Sequence, residues 1–138
     1  MVKTEKIKIN TKGETDIIDI TSGVEKILGK TKLKNGTVTV FVPGSTGGLT
    51  TIEYEPGVVS DLKQAFESFA PREGNYRHNT KWGDGNGFSH VRASMLGPSV
   101  TVPFLNGKMT LGTWQQIIFI DFDNRPRSRE LVVQIIGD

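Results

Sequence analysis

The chain has 138 residues, a formal net charge of +2 and 36% hydrophobic residues, as expected for one globular domain. The small charge excludes a nucleic-acid partner held mainly by phosphate neutralisation, and the lack of cysteine excludes disulfides, thiolate metal sites and cysteine nucleophiles. No segment has the roughly 18 apolar residues of a membrane helix or the apolar core of a signal peptide, so we expect a cytoplasmic protein without a membrane partner.

The N-terminal part of the chain predicts two strands and a short helix. EKIKIN (residues 5–10) alternates polar and apolar residues, and TDIIDI (15–20) follows after a Lys-Gly pair, so the two segments predict a first hairpin. Thr21 is expected to cap a helix that runs through Leu28 and ends at Gly29.

Two further strands and the strongest helix come next. A tight-turn signal, Asn-Gly, precedes TVTVFV (37–42), which is the clearest strand of the sequence, and LTTIEY (49–54) reads as its successor. From Val58 to Phe69 the apolar residues recur at helical spacing, and Pro71 stops this pattern.

The C-terminal half predicts one more helix and then only strands. SHVRASMLG (89–97) suggests a helix with Ser89 as its N-cap and Gly97 as its terminator. The strands SVTVPF, MTLG, WQQIIFIDF and ELVVQIIG follow without regular alternation with helices. We therefore expect one α+β domain over residues 1–138, β-rich, with a largely antiparallel sheet or sandwich and two or three helices.

Both histidines of the chain lie in one glycine-rich segment, HNTKWGDGNGFSH (78–90). An imidazole can ligate a metal, transfer a proton or hydrogen-bond a phosphate. His78 and His90 with Asp84 would supply a three-ligand site of imidazole and carboxylate type, although their spacing matches no zinc signature. The alternative is a plain connection with solvated histidines, in which Asp84 and Ser89 cap helices.

A second candidate is PGSTGG (43–48), which lacks any large side chain. Its glycines allow the backbone N–H groups to approach a ligand, and Ser45 and Thr46 add hydroxyl donors, so the loop suits a phosphate or carboxylate. It is not a P-loop, because no Gly-Lys-Ser/Thr follows and the next element is a strand. A tight connection chosen for positive φ angles explains it equally well.

Two other segments are less specific. In LGTWQQ (111–116), Gly112 permits close packing, and Gln115 brings an amide that both donates and accepts hydrogen bonds. A Trp-Gln pair, however, is common in a strand in which one residue faces the core and the next faces the surface. RPRSRE places Arg125, Arg127 and Arg129 at alternate positions, so in an extended chain they form a phosphate-binding row or a charged edge strand.

Taken together, these segments resemble the YjbQ family, also called secondary thiamine-phosphate synthases. The resemblance rests on "SH" with "LG" six residues on, the P…G…LGTWQ run and the paired arginines before the final strand. Val42-Pro43, LT…E (49–53), Asp61 and Tyr76-Arg77-His78 fall in the family's order, so the match covers nearly the whole chain.

The resemblance implies a β-dominated α+β fold and a homotrimer with sites near subunit boundaries. It also implies a reaction that joins a hydroxymethylpyrimidine diphosphate to a thiazole phosphate, yielding thiamine phosphate and pyrophosphate, and a small phosphorylated metabolite as partner. The family's polar set falls on His78, Asp84, Ser89, His90, Thr113, Gln115, Arg127 and Arg129, with Glu53 nearby.

These inferences assign three sets of candidate residues. The catalytic set is His78, His90 and Asp84. The anion-binding set comprises Ser45, Thr46, Gly47, Ser89, Thr113, Gln115, Arg127 and Arg129. The possible metal ligands are His78, His90, Asp84 and Glu53.

One departure from the family pattern concerns the glycine-rich loop. Family members usually read VPHTTAAL where this chain reads VPGSTGGL, so the family's first histidine is Gly44 here. If that histidine is a metal ligand, tight zinc binding is doubtful, and the glycine-rich replacement favours anion binding instead. The reaction implied by the resemblance makes Mg²⁺ a possible cofactor, because this ion prefers oxygen ligands and phosphates.

Two hypotheses of different class follow. The first is a Mg²⁺-dependent thiamine-phosphate synthase-type transferase. The second is a trimeric protein that binds a phosphorylated metabolite or a metal and has little turnover. Loss of an imidazole at Gly44 weakens the enzyme hypothesis more than the binding hypothesis.

Overall fold

The computed structural model describes all residues, 1–138, and confirms an α+β fold dominated by antiparallel strands. Two sheets are present, with strand orders β1-β8-β3-β5-β6 and β2-β7-β4, and every pairing is antiparallel. The strands are β1 (Val2–Thr11), β2 (Asp16–Asp19), β3 (Gly36–Phe41), β4 (Gly47–Glu53), β5 (Ser99–Leu105), β6 (Lys108–Met109), β7 (Gln115–Asp121) and β8 (Arg127–Gly137).

Four helices accompany the sheets, one more than the sequence predicts. The additional helix is short and lies in the histidine segment. No helix combines the length and the apolar character needed to cross a bilayer. The helices are α1 (Thr21–Thr31), α2 (Pro56–Phe69), α3 (Arg77–Trp82) and α4 (Gly87–Leu96).

The larger core lies between the two sheets and is closed by α1. Alternate residues of β8, namely Leu131, Val133 and Ile135, are fully buried there, as the period-two pattern of a strand with one solvated face requires. They meet Val24 of α1 and Phe119 of β7 in the same cluster. Burying each of these large side chains stabilises the fold by about 1.5–3 kcal/mol.

Strand β7 is buried on both faces because helices cover the outer side of its sheet. Its residues Ile117 and Phe119 pack into the core between the sheets, whereas Ile118 and Ile120 pack against Phe66 of α2. The chain therefore has three layers, a five-stranded sheet, a three-stranded sheet and a layer formed by α2 and α4. In this arrangement the candidate site lies at the C-terminal end of β7.

The predicted first hairpin is wrong. β1 pairs with the last strand, β8, while β2 pairs with β7 in the other sheet. The Gly13–Thr15 segment between them has three consecutive positive φ angles, 74° at Gly13, 54° at Glu14 and 62° at Thr15. These angles direct the chain out of one sheet into the other, and a local hairpin is lost.

Helix boundaries differ from those predicted by a few residues. α1 continues past Gly29 and ends before Lys32, which adopts the left-handed conformation with φ 59°. α4 begins at Gly87 rather than at Ser89, and Gly97 ends it as predicted. Pro56 begins α2, where its missing N–H is tolerated.

Candidate functional site

A buried ion pair lies at the C-terminal end of β7. Asp121 is fully buried and receives hydrogen bonds of 2.9 Å from both Nε and Nη2 of Arg129. The hydroxyl of Thr11 donates to the same carboxylate at 2.6 Å. This bidentate geometry satisfies a carboxylate that is otherwise costly to bury.

Asp123 extends this network by two residues. Its carboxylate accepts hydrogen bonds from Asn86 Nδ2, Thr46 Oγ1, Arg127 Nη1 and the backbone N–H of Asn124. Burial by itself raises the pKa of Asp123, but the hydrogen bonds and the Arg127 charge outweigh it and the pKa is lowered. Asp123 is therefore ionised at neutral pH.

The 44–47 loop is fastened to this network. Thr46 is buried, donates to Asp123 and accepts a 2.7 Å hydrogen bond from Nη2 of Arg129. Gly44 has a φ of 125°, which side chains rarely permit, and an ideal Cβ placed there would lie 3.4 Å from Nη1 of Arg129. A Cβ on Gly47 would lie 2.8 Å from the Phe119 ring, so this glycine is required for close packing.

The two imidazole rings lie side by side, with centroids 4.4 Å apart and planes inclined by 42°. Helix α3 carries His78 and α4 carries His90, so the short helix that the sequence does not predict is what turns His78 towards His90. Asn79 of α3 accepts a 2.8 Å hydrogen bond from the N–H of Gly87 and thereby links the two helices.

Burial lowers the pKa of His90, and the neighbouring His78 lowers it further. The charges of Asp123 and Asp84 and the backbone of Ser45 oppose this shift without reversing it. His90 is therefore neutral at neutral pH and able to accept a proton.

Two buried polar atoms at this position have no hydrogen-bond partner within the chain. They are Nδ1 of His78 and Oδ1 of Asn86, and no other buried side-chain nitrogen or oxygen lacks a partner. Nδ1 of His78 lies 3.4 Å from Oδ1 of Asp84, but not in hydrogen-bonding geometry. Buried polar atoms are nearly always paired, so these two indicate a position where a ligand or water binds.

We call this region the imidazole site. It comprises His78, Asp84, Asn86, His90, the 44–47 loop, Asp121, Asp123, Arg127 and Arg129.

Ser89 is close to this site in the chain, but its hydroxyl is not directed to a ligand. Its side chain is fully buried and its hydroxyl donates to the backbone carbonyl of Asn86, so it stabilises the first turn of α4 from within. The predicted N-cap role is wrong, because Asn86 occupies the N-cap position.

The predicted row of free arginines is not present. Arg129 is 7% exposed and paired with Asp121, and Arg127 is paired with Asp123 at 3.0 Å. Arg125 precedes β8 and is exposed. The charges of the two arginines and the two aspartates thus compensate one another. Nη1 is the one nitrogen of the Arg129 guanidinium that makes no hydrogen bond within the chain.

Glu53, Thr113 and Gln115 lie elsewhere in the chain. In the register of β4 with β7, Gly47 is opposite Asp121 whereas Glu53 is opposite Gln115. Six residue steps along a strand correspond to about 20 Å, so these residues are at the other end of the sheet. We call Glu53, Thr113, Trp114 and Gln115 the distal site.

The distal site surrounds an exposed tryptophan. Trp114 is 73% exposed, and shallow grooves on its two sides share Glu53, Thr113 and Trp114 in their lining. Gln115 is held by its own neighbours, since it donates to Thr51 and accepts from the N–H of Gly112.

The side chains of one chain do not form a metal site made of protein ligands alone. No three His, Asp or Glu side chains are close enough to bind one ion together. Every oxygen of Asp121 and Asp123 already accepts hydrogen bonds, and Glu53 is at the distal site. The four predicted metal ligands therefore do not form one site within a chain.

The residues that sequence reasoning overlooked are Asp121, Asp123 and Asn86. A usable signal was present, because the acidic residues in DFD (121–123), directly after the apolar run IIFI (117–120), are expected at the end of a buried strand. Their partners are supplied by β8 and the 44–47 loop and cannot be read from that run.

Known proteins resemble this chain in sequence and fold over nearly its full length. Residues 5–138 match the family described as UPF0047 protein YjbQ-like. A UPF0047 protein of Methanothermobacter thermautotrophicus is 39% identical and is covered over 93% of its length by 99% of this chain. YugU of Bacillus subtilis, also a UPF0047 protein, is 35% identical, with 99% of this chain and 100% of that protein covered.

A solved structure shows the same fold. A YbjQ-like protein of unknown function from Sulfolobus solfataricus superimposes with a TM-score of 0.95 at 31% identity, covering 100% of this chain and 99% of that one. The sequence match and the shared fold agree with the resemblance carried by LGTWQ, the SH pair and the arginines before the last strand. The chain belongs to the YjbQ-like UPF0047 family.

Proposed function

We propose that the imidazole site binds a small phosphorylated metabolite. The observation that carries this proposal is that the two unpartnered buried polar atoms of the chain, on His78 and Asn86, both belong to this site and therefore call for a ligand there. The amide oxygen of Asn86 would accept a hydrogen bond from an N–H or O–H group of the metabolite rather than from its phosphate. Nη1 of Arg129 and the N–H groups of the 44–47 loop are hydrogen-bond donors for the phosphate oxygens.

The chemistry that we propose is that of the thiamine-phosphate synthase-type transferases, which the family resemblance implies. In that reaction the bond between the pyrimidine methylene carbon and the diphosphate oxygen breaks. A bond from the thiazole nitrogen to this carbon forms, and pyrophosphate leaves. Hydrogen-bond donors such as Arg129 Nη1 and the N–H groups of the 44–47 loop stabilise the charge that grows on the leaving group.

The second candidate, binding without appreciable turnover, is favoured by a specific observation. Both arginines are already neutralised, Arg129 by Asp121 and Arg127 by Asp123, so the site has little net positive charge for a leaving diphosphate. Since the residues of one chain do not hold a metal ion, any Mg²⁺ in the proposed function would arrive with the diphosphate.

We further propose a homotrimer, in which the distal site of one subunit faces the imidazole site of the next. The support is geometric: Glu53, Thr113 and Gln115 are about 20 Å from the imidazole site along β4 within one chain. A neighbouring copy would bring the two halves together, as the resemblance implies for this family.

One experiment separates the two candidates. Purified protein is supplied with the pyrimidine diphosphate, the thiazole phosphate and Mg²⁺, and thiamine phosphate is measured, with pyrophosphate binding followed in parallel by calorimetry. Product from the wild type but not from His90→Ala supports the transferase. Pyrophosphate binding without product supports the binding protein, and absence of both refutes the proposed function.

Mixing two variants tests whether neighbouring subunits share a site. His90→Ala alters the imidazole site and Gln115→Ala the distal site, so each variant alone loses binding if both halves are needed. After subunit exchange, mixed trimers contain some sites with two intact halves, and binding returns in part. No recovery from mixtures that have exchanged subunits would contradict a shared site.

A further inference from the structure

A small cleft lies between the 44–47 loop and the second half of α4. Gly44, Ser45 and Gly47 form one wall, while Ala93, Ser94 and Pro98 form the other, and the enclosed volume is about 260 Å³. No side chain larger than proline lines the cleft, and the hydroxyls of Ser45 and Ser94 are its polar side-chain groups. His90 lies one helical turn before Ser94, so the cleft adjoins the imidazole site.

A buried guanidinium borders this cleft through Gly44. Only 7% of the Arg129 side chain is exposed. Its Nε and Nη2 donate hydrogen bonds to Asp121, and Nη2 also donates to Thr46. Its Nη1 has no acceptor in the chain and would lie 3.4 Å from a Cβ on Gly44. Arg129 does not itself line the cleft, but this nitrogen lies next to Gly44, which does line it.

The donors of the cleft define the chemistry of its ligand. Nη1 of Arg129 makes no hydrogen bond within the chain and is not one of its buried unpartnered atoms, so it can donate to a ligand oxygen that reaches the loop. The hydroxyls of Ser45 and Ser94 can donate to the same group. Asp121 compensates the charge of Arg129, so recognition depends on the positions of these donors rather than on a broad positive field. Oxygens of a phosphoryl group satisfy this set of donors.

The volume of the cleft suits a small charged group. A cleft of about 260 Å³ accommodates a phosphoryl or diphosphate group, while the rest of the ligand extends out of it. We infer that this cleft is the phosphoryl subsite of the proposed ligand and that Ser94 is a further binding residue. This inference rests on the proposed function, and it adds a residue to it.

Filling the cleft tests the inference. Pyrophosphate affinity is measured by calorimetry for the wild type, Ser94→Phe and Ser94→Ala. Ser94 is exposed, so both variants are expected to fold, which circular dichroism verifies. We expect Ser94→Phe to weaken binding more than tenfold, and Ser94→Ala, which loses one hydrogen bond, to weaken it roughly two- to tenfold.

Met95→Phe is the matched control. Met95 is the neighbouring residue on α4, is 70% exposed and does not line the cleft, so this variant should bind pyrophosphate like the wild type.

The outcomes distinguish this inference from the proposed function. If the wild type and Ser94→Phe bind pyrophosphate equally while His90→Ala does not, the imidazole site binds phosphate but the cleft is not its subsite. If the wild type binds no pyrophosphate, the proposed function and this inference both fail.

Discussion

Arg129 and Asp121 form an ion pair that is almost fully removed from solvent, with 7% and 0% of the two side chains exposed. In Arg129→Met the Asp121 carboxylate would remain buried without its counterion and without two of its hydrogen bonds. We expect the free energy of unfolding to fall by about 3–5 kcal/mol, as measured by urea denaturation.

A surface ion pair of the five-stranded sheet, to which Arg129 belongs, is the control for this variant. Lys6 and Glu130 lie 3.4 Å apart with 63% and 49% of their side chains exposed. Because solvent screens such a pair, Lys6→Met should change the free energy of unfolding by less than about 1 kcal/mol. An Arg129→Met loss no greater than that of Lys6→Met would show that the buried pair does not stabilise the fold.

The titration of His90 is a second prediction at this scale. Burial and the neighbouring His78 lower its pKa, so we expect it to titrate below the ordinary histidine value of about 6.5. The chain has only two histidines, so proton NMR resolves both rings, and His78→Gln leaves the single signal of His90. A His90 pKa at or above 6.5 in the wild type would contradict the burial seen here.

Stability should follow these shifts as the pH falls. Because the folded pKa of His90 is below the unfolded value, the unfolded state binds more protons below about pH 6.5. The contribution of His90 to the free energy of unfolding is therefore fully present above that pH, and it is lost as the pH falls towards the pKa of the folded state. Asp123, whose pKa is also lowered, contributes above about pH 4 and loses its contribution at still lower pH.

A matched variant isolates the first of these two stages. His90→Gln removes the titrating ring, so its free energy of unfolding should depend less on pH than that of the wild type as the pH falls below about 6.5. Urea denaturation at several pH values measures this slope. Equal slopes for both proteins would mean that His90 does not couple folding to protonation.

At the scale of elements, β7 connects the core to the imidazole site. Phe119 is fully buried, and its ring packs directly beneath Gly47, while Asp121 and Asp123 follow at the end of the strand. Phe119→Ala should lower the free energy of unfolding by about 3–5 kcal/mol because it leaves a cavity. Pyrophosphate binding should weaken as well, since the loop loses its support.

An exposed strand position provides the control for β7. Thr101 lies on the solvated face of β5, so Thr101→Ala should change the free energy of unfolding by at most about 0.5 kcal/mol and leave pyrophosphate binding intact. If Phe119→Ala bound pyrophosphate with wild-type affinity, the strand would not be what positions the loop.

The proposed assembly is a homotrimer, as the family resemblance implies. Light scattering on the purified protein should then give three times the 15.2 kDa of one chain. In the proposed shared site, the imidazole and distal sites, which lie at opposite ends of β4 within one chain, meet between neighbouring copies. A monomeric mass at micromolar concentration would contradict both the trimer and the shared site.

The extent to which the fold follows from local sequence differs between elements. The alternation in β3 and β8 and the helical spacing in α2 predict these elements because the periods reflect one buried face. Pairing is different: β1 joins β8 at the far end of the chain, and the local hairpin expected for 5–20 does not form. Long-range pairing depends on where buried faces meet, which no local window contains.

The candidate site divides in the same way. The closeness of His78 and His90 in the chain points correctly to two rings in one place, yet α3, which turns them together, is too short to show a clear period. Arg127 and Arg129 are assigned to anion binding from the sequence, but their pairing with Asp123 and Asp121 is not visible in RPRSRE. Ion pairs between distant segments require the packed layers to form first.

By itself the sequence determined the family, the β-rich α+β class and the polar segments at which chemistry is possible, because these depend on residue type, spacing and period. Only the tertiary structure decided which segments meet: it brought Gly44, Arg129 and the two imidazoles together and placed Glu53 and Gln115 at the other end of the sheet. The reason is that strand register and the burial of β7 between two layers are properties of the packed chain, in which every residue's position depends on distant partners.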